Sequence, residues 1–145
     1  MTQEIRNIVS EIDDEIRQHE WFDFHILSFD GFKLIIAGGI DLIYYHKLEI
    51  IFEGVFFVSG FFQGWRSDTK QRTFLLPDNE KEINEKYEIE QGYQLFLFKT
   101  EDYKNNVLIA AQNVSYNVDI VYYYERLDLK ENERIAEFVK NKYPF

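Results

Sequence analysis

Apolar residues recur at helical spacing through the first twenty positions of the chain. One stripe of the predicted helix consists of Ile5, Ile8, Val9, Ile12 and Ile16. The acidic residues of the segment lie largely off that stripe: Glu4, Glu11, Asp13, Asp14 and Glu15. The pattern predicts an amphipathic helix that Thr2 caps and that ends near His19 or Glu20.

A β-hairpin is predicted directly after this helix. Phe22, Phe24 and Ile26 alternate with other residues and therefore share one face of a strand. Asp30-Gly31 separates two apolar runs, which is a strong hairpin signal. The return strand covers 32–37 and ends at a glycine pair, and 40–46 form a connection or an irregular strand.

The most apolar segment is LEIIFEGVFFVSGFFQGW, residues 48–65. A transmembrane helix needs about 20 predominantly apolar residues, but Glu49 and Glu53 leave only 54–65 free of charge. Aromatic and β-branched residues, punctuated by three glycines, favour strands instead. A glycine such as Gly54 often marks a bulge. We therefore expect strands here and no contact with a membrane.

The second half of the chain predicts further strands and a final helix. Residues 66–73 are predicted as a polar loop, and a short acidic helix begins at Pro77 and ends about Tyr87. Strands are predicted at 93–99, 107–112 and 116–124. The final helix is predicted to begin at the capping pair Asp128 and Glu131. Its apolar stripe is Ile135, Phe138, Val139 and Tyr143.

These elements predict a single α+β domain over 1–145. Its antiparallel, strongly curved sheet has about six to seven strands, with an N-terminal and a C-terminal helix, and short loops favour hairpins over parallel crossovers. Near its middle the sheet is apolar on both faces, since Leu95 and Leu97 alternate with Phe96 and Phe98. Either the sheet curls into a partial barrel, or aromatic surface remains for a partner or ligand.

The charge balance limits the partners. With 26 acidic and 16 basic residues, the net charge of −10 disfavours nucleic acid, whose affinity depends on Lys and Arg neutralising phosphates. It suits a basic protein partner, or it serves only solubility. The absence of cysteine excludes disulfides and thiolate zinc sites. The N-terminal segment does not have the pattern of a signal peptide, so the cytoplasm is the default location.

Candidate catalytic groups are few. The histidines are His19, His25 and His46, and none has the spacing of a metal-binding motif. Asp23 and His25 share a strand face and could form an acid–base pair, although a structural histidine is the commoner role. The glycines do not form a phosphate loop, and the acidic segment at 78–90 does not have calcium-loop spacing. The sequence therefore predicts no cofactor and no metal.

The stretch FFQGWRSD is the best candidate for partner binding. Trp and Arg are favoured at binding hot spots, so Trp65 is a candidate anchor with Arg66 beside it. Alternatively, Trp65 caps the edge of the core and Arg66 lies in solvent. Candidate residues for electrostatic steering are Asp78, Glu80, Glu82 and Glu85.

Two short patterns carry a family resemblance. Phe24 and His25 begin the motif of DFHILSF, with Ile26 in place of the usual acid, and KLEIIFEGVFFVSG supplies Leu48, Ile50, Phe52 and Val55. Over about a quarter of the chain, these patterns resemble small uncharacterised bacterial proteins related to polymorphic-toxin immunity proteins. The resemblance implies a compact α+β protein that neutralises a partner by binding it.

Three functions remain open from the sequence. The first is a non-enzymatic protein-binding module, of which an immunity-like inhibitor is one form. The second is a small-molecule binder whose curled sheet encloses an aromatic pocket. The pocket is expected between Phe56, Phe57, Phe96 and Tyr122. The third is an enzyme that uses Asp23 and His25. The oligomeric state is not determined by the sequence.

Overall fold

A seven-stranded antiparallel sheet curls into a half-barrel in the computed structural model, which describes residues 2–140. The elements, in chain order, are α1 (Thr2–Ile16), β1 (Trp21–Phe29), β2 (Lys33–Gly39), β3 (Tyr45–His46), β4 (Leu48–Ser59), β5 (Trp65–Asp68), β6 (Phe74–Leu75), α2 (Glu80–Lys86), β7 (Gln94–Phe98), β8 (Val107–Asn117), β9 (Ile120–Tyr122), β10 (Glu133–Ile135) and α3 (Glu137–Lys140). The large sheet has the order β5-β1-β2-β4-β8-β7-β6, and a small sheet has the order β10-β9-β3. The predicted fold class and the strongly curved sheet are confirmed.

Helix α1 packs on the large sheet through the predicted stripe. Ile5, Val9, Ile12 and Ile16 are all buried in the main core. Asp13 was expected off the stripe but is also buried, because its Oδ1 accepts hydrogen bonds from the backbone N–H and hydroxyl of Thr73 and from the backbone N–H of Phe74. A carboxylate that satisfies several buried donors fixes the helix against β6. Thr2 lies inside the helix, and its side chain is outside the described residues.

The predicted hairpin is formed by β1 and β2. Asp30 Oδ1 accepts hydrogen bonds from the backbone N–H groups of Phe32 and Lys33, which holds the turn. Gly54 provides the predicted bulge, since it has φ +65° and the register of β4 with β8 shifts between Val55 and Phe57.

Both faces of the large sheet are covered near its middle. Phe96 and Phe98 point into the main core under α1, whereas Leu95 and Leu97 form a second cluster with Ile83 of α2 and its neighbours. The sheet therefore curls and is also covered by the short acidic helix. The aromatic residues expected around one pocket lie apart: Phe96 in the main core, Phe57 in the second cluster and Tyr122 in the small sheet.

Four predicted elements differ from the structure in extent or type. The first residues of the expected polar loop at 66–73 belong to strand β5, which pairs with β1. Buried and exposed positions alternate along β5, and Ser67 is one of the buried ones. The strands predicted at 107–112 and 116–124 become β8, which continues to Asn117, and the short β9.

The predicted C-terminal helix is present as α3, but it begins later than predicted, because the segment first forms β10 in parallel with β9. Asp128 pairs with Arg126 instead of capping a helix, and Tyr143 lies outside the described residues. The long-range pairing of β10 satisfies backbone groups that a local helix would otherwise satisfy. The parallel pair also corrects the expectation that only antiparallel neighbours occur.

Candidate functional site

An open cleft of about 1020 Å³ lies between β1, β5 and two loops, 40–43 and 101–103. Its ionisable lining residues are Asp23, His25, Asp41, Arg66, Glu101 and Asp102. Four carboxylates face one guanidinium and one imidazole, so the cleft has a negative potential that favours a cationic group.

Strand pairing places the charges at the floor of the cleft. Asp23 lies opposite Arg66 in the β1–β5 register, and the guanidinium binds the carboxylate through Nε at 2.7 Å and Nη2 at 3.2 Å. The turn before β5 needs Gly64, which has φ +100° and whose hypothetical Cβ lies 2.5 Å from the carbonyl oxygen of Phe24. The cleft wall therefore depends on a glycine that permits close backbone approach.

His25 lies two residues beyond Asp23 on the same face of β1 but makes its hydrogen bond elsewhere. Its Nε2 is 2.8 Å from Tyr123 Oη, and the Asp23 carboxylate binds Arg66. Both residues line the cleft, as the acid–base hypothesis requires, yet the group that orients the imidazole is Tyr123 and not Asp23.

Behind His25, hydrogen bonds continue into the protein. Tyr123 Oη is 2.6 Å from His46 Nδ1, and His46 Nε2 is 2.7 Å from Glu49 Oε2. Glu49 Oε1 also accepts from Asn117 and, at 2.7 Å, from Arg134. His25, Tyr123, His46 and Glu49 thus form a polar chain from the cleft to the interior.

The polar chain joins the two sheets. Its members His25 and Glu49 lie in β1 and β4 of the large sheet, whereas His46 lies in β3 and Tyr123 directly follows β9 of the small sheet. His46 is fully buried, and Phe138 of α3 packs on the ring of Tyr123. Polar groups in such an interface need their partners, because an unpaired buried group is costly.

Burial and hydrogen bonding set the charge of the polar chain. Burial opposes ionisation of Glu49, but hydrogen bonds from His46, Asn117 and Arg134 outweigh it and lower its pKa to about 2. Burial, with the Glu49 charge, raises the pKa of Tyr123, so the phenol keeps its proton. Burial and the neighbouring His46 lower the pKa of His25. Because the Glu49 carboxylate can only accept, the proton between it and His46 is on Nε2 of His46.

The sequence contained few signals for this chain. His46 and Glu49 are three residues apart in separate strands, and Tyr123 is 77 residues beyond His46. The one local signal was the acidic residue in an apolar run, since Glu49 is only 4% exposed and needs a buried partner.

The residues predicted for partner binding occupy different environments. Trp65 is only 3% exposed, and its ring packs between Phe24 and Phe98 in the main core. Its Nε1 has no hydrogen-bond partner among the described residues. Arg66 is exposed but is bound to Asp23. Trp65 therefore matches the alternative of a residue at the core edge, and its ring is almost completely buried.

The acidic candidates also differ in their environments. Asp78, Glu82 and Glu85 are exposed, whereas the carboxylate of Glu80 accepts hydrogen bonds from Gln94 Nε2 and the backbone N–H of Leu95. Glu80 therefore positions α2 against β7, and the other three remain available to solvent.

An exposed apolar patch lies close to Trp65 in the sequence. Phe62 is 88% exposed, and it lines an apolar groove of about 260 Å³ together with Phe29 and Val58, which are also exposed. Phe29, Val58 and Phe62 form the Phe62 patch. The aromatic FFQGW stretch therefore presents Phe62 to solvent and Trp65 to the core.

Within residues 2–140, no group of His, Asp and Glu has an arrangement that could hold a metal ion. In the same part of the chain, no helix is long and apolar enough to cross a membrane. Comparison with protein families, curated proteins and solved structures gave no match.

Proposed function

We propose that this protein acts by binding another protein, without catalysis. The observation that carries the proposal is the Phe62 patch, where three exposed apolar side chains surround an apolar groove. Single exposed apolar residues are ordinary, but contiguous ones are typical of interaction sites. Phe62 replaces Trp65 as the proposed anchor, because an anchor must reach a pocket on the partner.

The partner we propose is a basic protein. The net charge of −10 and the exposed carboxylates of Asp78, Glu82 and Glu85 would attract it over a distance set by ionic strength. Exposed acids outside the apolar contact mainly change the association rate, while a buried aromatic anchor controls dissociation.

An immunity-like role is the specific form of this proposal. The residues that carry the resemblance have structural positions here: Phe24, Leu48, Ile50 and Phe52 lie in the main core, and His25 lies in the polar chain. These positions support the fold. A neutralising complex would therefore use surface residues such as Phe62, which lie outside the shared patterns.

A second candidate is an enzyme that transfers protons in the cleft. It is favoured by the position of His25, which lines the cleft while the polar chain connects it to the ionised Glu49. An imidazole held this way resembles the oriented base of hydrolytic enzymes in geometry alone. Loss of a measured turnover in His25→Gln, with the Phe62 variant unaffected, would favour this candidate.

The experiment places a photo-crosslinking residue at position 62 in cells that contain the natural partner. The control places the same residue at Leu127, which is fully exposed and outside the Phe62 patch. We expect one basic protein to crosslink at 62 and not at 127.

Binding kinetics with that partner complete the test. Phe62→Ser should accelerate dissociation at least tenfold, as expected for an anchor that contributes more than about 1.4 kcal/mol. Glu82→Lys with Glu85→Lys should slow association and flatten its salt dependence. The proposal is wrong if position 62 gives no partner-specific crosslink and Phe62→Ser leaves the complex unchanged.

A further inference from the structure

One hydroxyl group is shared by two histidines in the polar chain. Tyr123 Oη lies 2.8 Å from His25 Nε2 and 2.6 Å from His46 Nδ1. A phenol has one hydrogen to donate, so both contacts form and that hydrogen finds an acceptor in the chain only when one nitrogen carries a hydrogen and the other does not.

The number of protons the chain accepts follows from this geometry. With both histidines neutral, His25 donates through Nε2 and Tyr123 donates to His46. One added proton fits in two ways: it enters at Nδ1 of His25, or the hydrogens shift along the chain and His46 becomes the cation beside Glu49. With two added protons, both imidazoles donate to Tyr123, the tyrosine hydrogen has no acceptor within the chain, and two cations adjoin one oxygen.

The surrounding charges accommodate one of these protons. Glu49 of β4, Arg134 of β10 and Asp119, which precedes β9, leave one net negative charge around His46. Lys47 follows His46 in the chain, and the ring of Phe138 covers the α3 side. The groups that share the cleft with His25 are the ion-paired Asp23 and Arg66, with Asp41, Glu101 and Asp102.

We propose that the polar chain is an acid-sensitive latch, which holds at most one added proton while the small sheet is docked and releases that sheet when a second proton binds. Because the chain connects β1 and β4 to β3 and β9, breaking either contact of Tyr123 loosens the small sheet and α3 from the half-barrel. The latch concerns a different region from the Phe62 patch and does not depend on the proposed partner.

Proton linkage fixes the direction of the effect. The released form binds one more proton than the docked form, so falling pH favours release. Below about pH 6, where free histidines become protonated, each pH unit should favour release about tenfold. Burial and the neighbouring His46 lower the pKa of His25, which disfavours a cation at His25 in the docked form. Glu49 stays ionised through this range, because its pKa is about 2.

Hydrogen exchange measured by NMR between pH 7 and 4.5 tests the latch. The reporting amide is that of Lys47, which directly follows β3 and donates to Gly38 O of β2 in the large sheet. Its protection, corrected for intrinsic exchange, should fall about tenfold per pH unit below about pH 6, while amides in β4 and β8 stay protected.

The decisive variant is His25→Gln. A glutamine amide can still donate to Tyr123 but cannot bind the second proton, so the small sheet should stay protected at pH 4.5. His19→Gln is the matched control, since His19 lies outside the polar chain, and it should release like the wild type. Tyr123→Phe should loosen the small sheet equally at every pH.

Two results would overturn the proposal. One is NMR evidence that both His25 and His46 are cationic at pH 4.5 while the amide of Lys47 remains protected. The other is release of the small sheet in His25→Gln at the same pH as in the wild type.

Discussion

Gly64 shows how one residue shapes the wall of the cleft. Its φ of +100° is a conformation that residues with a Cβ rarely adopt, and its Cα faces the carbonyl oxygen of Phe24. Gly31 has a nearly equal φ of +96° but has nothing within 4 Å of a hypothetical Cβ. Both glycines therefore need a positive φ, but only Gly64 also lies so close to neighbouring backbone that a Cβ would clash.

Alanine substitutions at these two glycines separate the two effects. Gly31→Ala should lower the free energy of unfolding by about 1–2 kcal/mol from backbone strain alone. Gly64→Ala should lower it by at least about 1 kcal/mol more, because the added methyl group meets backbone that cannot rotate away. Chemical denaturation measures both values. Equal losses would mean that β1 and the turn before β5 separate without penalty.

At the scale of elements, polar contacts decide how the small sheet joins the large one. The carboxylate of Glu49 accepts hydrogen bonds from three elements: from His46 of β3, Asn117 of β8 and Arg134 of β10. Removing one partner from such a buried network leaves the others unsatisfied, so the arrangement specifies one docking geometry.

The pH dependence of stability should report on Glu49. Its pKa is lowered from 4.5 to about 2, so its stabilisation is complete above about pH 4.5 and is lost as pH falls toward 2. This lowering of the pKa corresponds to a contribution of at most roughly 3 kcal/mol to the free energy of unfolding. Glu49→Gln should be less stable than the wild type at pH 7 by up to that amount, and the two should converge between pH 4.5 and 2. A difference that stays constant in urea titrations across this range would contradict the assignment.

At the scale of the whole molecule, charge acts against compactness. Acidic residues outnumber basic ones by 26 to 16, and a net charge far from zero destabilises the folded chain through self-repulsion. At 0.1 M, salt largely screens the repulsion between exposed charges that lie more than about 10 Å apart.

Stability should therefore rise with sodium chloride between 10 and 200 mM, as measured by thermal unfolding. The double variant Glu82→Lys, Glu85→Lys replaces two negative charges by two positive ones and changes the net charge from −10 to −6. Its stability should rise less steeply with salt. Stability that falls with salt in the wild type would show that ion pairs outweigh the repulsion.

Local patterns in the sequence determined much of the fold. The isoleucine stripe of α1, the turn at Asp30-Gly31 and the bulge at Gly54 depend on residues close together in the chain, so periodicity and backbone preference were sufficient to predict them. The alternation of Leu95 and Phe96 likewise predicted a sheet that is apolar on both faces.

Only the tertiary structure decided which residues meet across the chain. Strand β10 forms because β9 offers a partner, which overrides the helical pattern of its own segment. Asp13 and Glu49 are buried because their hydrogen-bond donors come from distant strands, and Trp65 enters the core while Phe62 stays in solvent. The polar chain joins residues as far apart as His25 and Tyr123. No sequence motif marks such long-range contacts, because the residues that form them meet only when the whole sheet folds.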